Sequence, residues 1–308
     1  MSDIAEPPTK RSRNDKNEGR KVDTDRFLNV SPELFEQADT ISSRYLAATP
    51  YPHHVLENVF VDGFLGESSL TKRVSITLKY FFTWSSTNSH FVRSYFNVLD
   101  DVLEEVKNNL KATFKESDLF RVYQSIDLGN LDPSDATLTE VMPALMKLRA
   151  NLYSPKWRSF IEQISGVEKG SLIDKVDSAV NCHDKGCHLL CHDDVIGTRK
   201  VSYILYLTDP KPEWKDEDGG RLELYESLVE QSAIDKDNCE EKREKGTETR
   251  VPGVFPVKTI LPKFNSMAYF VVEPGVSFHS VQEVLCDRPR LSIQGKLVQL
   301  QLLKSFTP

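Results

Sequence analysis

Leu189-Leu190-Cys191-His192-Asp193-Asp194 closes an apolar run with a histidine and a carboxylate two residues apart. In an extended backbone, residues i and i+2 point to the same side, so His192 and Asp194 converge while Asp193 points away. An imidazole nitrogen and a carboxylate oxygen supply two ligands of a facial triad, the arrangement that suits non-haem Fe(II) and leaves coordination positions open. Read this way, the stretch is a strand whose end carries chemistry, and a third ligand has to come from elsewhere.

Outward from that stretch, short apolar or alternating runs separated by turn residues give the pattern of an all-β sandwich or barrel. Eight candidate strands follow Ser171, at 175–182, 187–191, 199–208, 221–225, 257–261, 267–272, 277–284 and 289–295. Between the fourth and fifth, the acidic stretch 236–250 is dense in Lys, Glu and Asp and reads as a solvated loop. Gly219-Gly220 reads as a turn or bulge that allows close backbone approach.

Before Ser171 the apolar period is mainly helical. Ser31-Pro32 starts a helix carrying Leu34, Phe35, Ala38 and Ile41, and Val55 to Val61 is strand-like, closing at Asp62-Gly63. Leu99, Val102, Leu103, Val106 and Leu110 form one face of an amphipathic helix. Pro143 opens another, and Ser154-Pro155 a third, with Trp157, Phe160, Ile161 and Ile164 on one face and Gly166 at its end. The expected fold class is therefore α+β, a jelly roll braced by N-terminal and flanking helices. The expected divisions are a disordered basic tail at 1–26, a mainly helical region at 27–170 and a β core at 171–308.

Composition narrows the function. With 308 residues and 39% hydrophobic content the chain can build a sizeable core, and a net charge of -7 argues against a general nucleic-acid-coating protein. The N-terminus lacks a secretory apolar segment and no apolar run has membrane-spanning length, so a soluble intracellular protein with no membrane partner is expected. Five cysteines, at 182, 187, 191, 239 and 286, are expected to be reduced thiols. Lys10-Arg11-Ser12-Arg13 in the tail fits nuclear import or simple solubilisation equally.

The β half offers His279 as a third ligand, because His183 and His188 are too close to His192 in sequence to reach from across a barrel. Eleven residues after His279 comes Arg290, whose guanidinium on a buried strand face demands an anionic partner; the carboxylate of a dicarboxylate cosubstrate matches its planar fork. Tyr206, on a neighbouring candidate strand, adds a phenolic hydrogen bond to the same carboxylate. A rival reading takes Cys182, His183, Cys187, His188, Cys191 and His192 as a zinc cluster, but the cysteine spacing lacks C-x2-C knuckles.

In their order, His192-Asp193-Asp194, Tyr206, Gly219-Gly220-Arg221-Leu222-Glu223-Leu224-Tyr225, His279 and Arg290-Leu291-Ser292-Ile293 resemble the Fe(II)- and 2-oxoglutarate-dependent oxygenases. Within them the chain is most similar to the ribosomal prolyl hydroxylases, the group of the yeast termination-and-polyadenylation protein and its animal relatives. The resemblance covers about residues 50 to 65 and 98 to 295. It implies a double-stranded β-helix in which His192, Asp194 and His279 hold iron while Arg290 and Tyr206 hold the distal carboxylate of 2-oxoglutarate. It also implies O2 and L-ascorbate as further requirements, with C3 hydroxylation of a proline in a small-ribosomal-subunit protein as the reaction. Translation-termination factors are implied as further partners, and nucleus and cytoplasm as the location; no direct nucleic-acid binding is expected.

Three departures from the family stand out. An aromatic-rich segment, 66–97, interrupts the family pattern; Gly295-Lys296-Leu297-Val298 stands where relatives read Gly-Trp-Phe-His; and full-length relatives carry a second β-helix domain. A shortened form is expected, with a catalytically impaired binding module as the alternative function. An oxygenase of the same fold acting on a nucleic-acid base is a third reading, disfavoured by the acidic composition.

Overall fold

The computed structural model describes residues 30–61, 98–230 and 249–299. The basic tail, the 66–97 segment, Cys239 and nearly all of the acidic stretch 236–250 lie outside the described residues.

Six helices are described: α1 (Pro32–Glu36), α2 (Ala38–Leu46), α3 (Val98–Asn109), α4 (Ala136–Val141), α5 (Pro143–Leu152) and α6 (Pro155–Ser165). Their ends follow local chemistry. At the start of α6, Ser154 Oγ accepts the Trp157 N–H at 3.1 Å, and Gly166 ends the helix in the left-handed region at φ 70°. Pro143 begins α5, whose first free N–H groups are met from α3, where the buried Glu105 carboxylate accepts from Ala144 and Leu145 at 3.0 and 2.8 Å.

The strands are β1 (His53–Glu57), β2 (Ala112–Glu116), β3 (Phe120–Ser125), β4 (Leu172–His183), β5 (His188–His192), β6 (Arg199–Tyr206) and β7 (Leu222–Leu224). They continue with β8 (Ser227–Val229), β9 (Arg250–Pro252), β10 (Lys258–Ile260), β11 (Ser266–Val271), β12 (His279–Val281) and β13 (Arg290–Gln299). The main sheet runs β1-β11-β6-β13-β4-β3-β5-β12-β7-β10, with β2 pairing β3. One half, β11-β6-β13-β4, and the other, β5-β12-β7-β10, exchange the chain repeatedly, which is the double-stranded β-helix.

Strand alternation divides two cores. Val201, Tyr203 and Leu205 of β6, Tyr269 of β11, and Leu291, Ile293 and Leu297 of β13 share one buried cluster with Leu145, Trp157, Phe160 and Ile161 of the helices. The opposite faces contribute Ile204, Tyr206, Ala268 and Phe270 to a smaller cluster inside the roll, with Leu222 and Leu224 from the other half. Each fully buried aliphatic or aromatic side chain contributes about 1.5–3 kcal/mol, so the helical layer fixes one wall of the site.

All eight strands expected after Ser171 are present, the run at 277–284 shortened to His279–Val281. The mainly helical region before Ser171 also supplies strands to the main sheet: β1, where Val55 to Val61 was expected to be extended, pairs β11, and the unexpected β3 pairs both β4 and β5. A small second sheet, β8-β9, also forms at the two ends of the acidic stretch.

Candidate metal and carboxylate site

Inside the roll, β5 and β12 lie antiparallel with His192 opposite His279. Their ring centroids are 4.2 Å apart. Each ring is oriented by its own strand end: His192 Nδ1 lies 2.8 Å from the Leu190 carbonyl and His279 Nδ1 2.8 Å from the Ser277 carbonyl. A carbonyl oxygen only accepts, so Nδ1–H donates in both and each Nε2 lone pair is left facing inward. That is the tautomer a metal-ligating histidine requires.

Asp194 completes the group, but not as a continuation of the strand. β5 ends at His192, and Asp194 sits in the left-handed region at φ 62°. The same-face argument from an extended backbone is corrected on this point: a turn brings the carboxylate back beneath His192. Asp is among the residues that tolerate this conformation. Asp193 pins the turn, since its carboxylate accepts from Val195 N at 3.2 Å and Gly275 N at 3.1 Å. Asp194 Oδ1 lies 3.5 Å from His192 Nε2, and Oδ2 3.5 Å from His279 Nε2. One ligating atom from each of the three residues lies within 4.8 Å of the others.

The electrostatics suit a cation. Burial alone pushes the Asp194 carboxyl upward, but contacts with His192, His279 and Lys296 outweigh it and hold the group far below the ordinary carboxylate range. Burial lowers His279, helped by the neighbouring His192, so it is a neutral imidazole at neutral pH. Ser202 Oγ also donates to Asp194 Oδ2 at 2.8 Å. The set of two imidazoles and one carboxylate matches a facial triad for Fe(II). Among the described residues, the Cys/His run of β4 and β5 provides no other such group, which leaves the zinc reading without geometry.

Farther along the interior, Arg290 and Tyr206 are both fully buried, the guanidinium carbon 5.2 Å from the Tyr206 ring centroid. Gly220 makes this possible. Its φ is 67°, its carbonyl accepts from Arg290 Nε at 2.6 Å, and a Cβ there would meet Arg290 Cδ at 3.0 Å. Arg290 Nη2 and Tyr206 Oη nevertheless have no hydrogen-bond partner. A buried guanidinium N–H and a phenol without partners are costly unless an acceptor arrives, and a carboxylate of 2-oxoglutarate fits both.

His183 is the residue that sequence separation hid. It stands opposite Arg290 in the β4–β13 ladder, is almost fully buried, and its Nδ1 has no partner. Burial and the facing Arg290 charge hold it well below its ordinary value, so the ring is neutral. Its nearness to His192 along the chain says nothing about β4, which crosses to β13 on the other side of the roll. Lys296, within the departing stretch Gly295-Lys296-Leu297-Val298, brings its Nζ to 3.3 Å from Asp194 Oδ1, a contact that its residue type does not announce.

Residues 178–298 match the family model of the 2OG-Fe(II) oxygenase superfamily. The chain is similar to a prolyl 3,4-dihydroxylase OGFOD1 of Ostreococcus tauri, 40% identical over 247 residues, which cover 80% of this chain and 37% of the relative. It is also similar to a prolyl 3-hydroxylase OGFOD1 of Xenopus laevis, 36% identical over 201 residues, 63% of this chain and 32% of that one. The chain thus spans about a third of the length of these curated relatives. A solved prolyl-4-hydroxylase of Pseudomonas putida aligns with 85% of the chain and 99% of its own, at 14% identity and a TM-score of 0.41.

Proposed function

We propose that the chain, which matches the 2OG-Fe(II) oxygenase superfamily over residues 178–298, is a member of that superfamily and a prolyl 3-hydroxylase acting on a protein substrate. The observation that carries the reading is a buried imidazole–carboxylate–imidazole group sharing one interior with the unpartnered Arg290 Nη2 and Tyr206 Oη. We assign His192, Asp194 and His279 to Fe(II), and Arg290 with Tyr206 to the distal carboxylate of 2-oxoglutarate.

When bound, Fe(II) supplies, with O2, the oxidising chemistry that couples decarboxylation of 2-oxoglutarate to succinate with hydroxylation of a C–H bond. The chain's own residues do the positioning. His192 and His279 keep Nε2 unprotonated through their Nδ1–H donations to Leu190 and Ser277. Ser202 holds one oxygen of Asp194, and the buried Arg290–Tyr206 pair fixes the cosubstrate's far end in a region closed to water.

Similarity to prolyl hydroxylases named OGFOD1 supports a prolyl target, and the family resemblance read from the motifs supports a proline of a small-ribosomal-subunit protein. L-ascorbate as a helper, termination factors as partners, and action in both nucleus and cytoplasm belong to the same proposal. The test is succinate release by the purified chain with Fe(II), 2-oxoglutarate, O2 and ascorbate, together with mass spectrometry of small-subunit proteins incubated with it. His192→Ala is expected to abolish both signals; turnover retained in that variant would sink the assignment.

One observation favours a second reading, a weakly catalytic form that binds partners in ribosome or termination complexes. Lys296 pairs with the carboxylate assigned to iron. Substrate-protein capture without succinate release would select that reading.

A further inference from the structure

We propose that the Lys296 ammonium competes with the metal ion for Asp194, so that this chain takes up a divalent metal only by displacing its own side chain. The inference rests on the reading of His192, Asp194 and His279 as a metal centre.

Strand geometry places the lysine. Along β13, Leu291, Ile293 and Leu297 face the helical core, so Arg290, Ser292, Gln294 and Lys296 project into the roll. Lys296 stands directly opposite Ser202 in the β13–β6 ladder. The two side chains converge on one carboxylate from neighbouring strands: Ser202 Oγ donates to Asp194 Oδ2 at 2.8 Å, and Lys296 Nζ approaches Oδ1 at 3.3 Å. The side chains of Lys296 and Asp194 are 16% and 6% exposed, so the pair is only weakly screened.

Oδ1 is also the oxygen 3.5 Å from His192 Nε2. An ion bridging His192, His279 and Asp194 would therefore share a carboxylate oxygen with the ammonium or lie within a few ångströms of it. Two cations at such a distance in a buried site repel strongly, and the ammonium also neutralises the only anionic ligand of the set. Either the lysine leaves or the metal binds weakly.

It has somewhere to go. Beside the site is a cavity of about 290 Å³ whose lining includes Lys296 and Gln294, with Asn181 and Asp177 from β4 and Gln124 and Asp127 from the β3 side. Asp177 is opposite Lys296 in the β13–β4 ladder and is paired with Arg199. Lys115 and Arg199 line the same cavity, so a rotated Lys296 would reach a polar space of mixed charge without leaving its strand. Lysine's flexible four-carbon stem and point charge suit such a move.

The test is Mn(II) binding to the full chain, read as free Mn(II) by electron paramagnetic resonance, for wild type, K296M, K296Q, K296R and H192A. K296M keeps the stem and removes the charge, and it is expected to bind at least about tenfold tighter than wild type, roughly 1.4 kcal/mol. K296R retains the wild-type affinity, and H192A loses binding. Thermal melts give a second readout: the metal-induced rise in melting temperature is larger in K296M than in wild type. If K296M does not fold, K296Q is read by the same criteria. Wild-type binding with no gain in either uncharged variant overturns the competition while leaving the metal centre intact. Absence of binding in wild type and in both uncharged variants overturns the competition and the metal-centre reading together.

Discussion

Arg290 carries a charge into a fully buried position where Nη2 has no partner and its own pKa is lowered by burial. R290M therefore has opposite expected effects on binding and on stability. Hydrogen bonds to charged groups contribute about 1.5–3 kcal/mol, so 2-oxoglutarate affinity should fall roughly ten- to a hundredfold by anaerobic titration. The ligand-free variant should be as stable as wild type or more so, since an uncompensated buried charge has been replaced by an apolar side chain. A pH prediction belongs to the same scale. His53, His54, His183 and His279 are all held below their ordinary value of 6.5, mainly by burial. The unfolded chain takes up protons near that pH while the folded chain does not, so stability falls as pH drops through about 6.5, by up to about 1.4 kcal/mol per pH unit for each such histidine. Melting temperatures of metal-free protein from pH 7.5 to 5 should show this slope, flattened in H183Q. Asp194 acts lower: its depressed carboxyl contributes stability above the ordinary carboxylate range and loses it only as pH falls well below. An unchanged slope in H183Q would count against a neutral buried His183. At this scale, residue type and order alone pointed to His192, Asp194, Tyr206, His279 and Arg290. His183 and Lys296 were not legible, because strand neighbours far apart in sequence decide what each of them touches.

Strands were legible where one face is buried and the other is not. β6 buries residues of both faces in different cores, yet its β-branched and aromatic content and flanking turns still marked it. β2 is exposed along its whole length, so it carries no alternation to read, and β3 was hidden with it. The extended same-face reading of His192 and Asp194 failed because a left-handed Asp194 leaves no mark that distinguishes it from an extended residue. Glycines give the element scale its sharpest test. Gly295 lies in β13 opposite Tyr203 of β6, and a Cβ there would run into the Tyr203 ring, which is fully buried. Neither strand can retreat, because β13 is laddered to β4 on its other edge. G295A should destabilise the chain by about 1–3 kcal/mol in urea unfolding, the usual range for overpacking a core. The same strand carries Arg290 and Lys296, so metal and 2-oxoglutarate affinity should weaken together in that variant. Full retention of both would mean that the two halves of β13 move independently.

The helical layer and the outer face of the sheet form one hydrophobic cluster, running from Val30 and Ile41 through Trp157 to Tyr203, Tyr269 and Leu297. The helix amphipathicity that predicted this layer also predicted which face it buries, but not that strands from before Ser171 would complete the sheet. The molecule should accordingly behave as a single cooperative unit. A fragment beginning at Ser171 would expose Val201, Tyr203, Leu205, Tyr269, Ile293 and Leu297 on one flat face and leave the edges of β4, β5 and β11 without β3 and β1. Exposed apolar strand faces and unpaired edges are templates for association, so that fragment should aggregate instead of folding as an isolated oxygenase core. Within the intact chain, W157A removes a fully buried indole that packs 5.6 Å from Phe160. It should cost about 3–5 kcal/mol. The decisive reading is the shape of the transition in a W84F background, which leaves Trp214 as the variant's remaining tryptophan: far-UV circular dichroism and fluorescence of Trp214, which hydrogen-bonds Gly219 beside the site, should shift to lower urea by the same amount. If the Trp214 signal kept its wild-type midpoint while helical signal was lost early, the helices would be a separable brace, and the site would not depend on them for its shape.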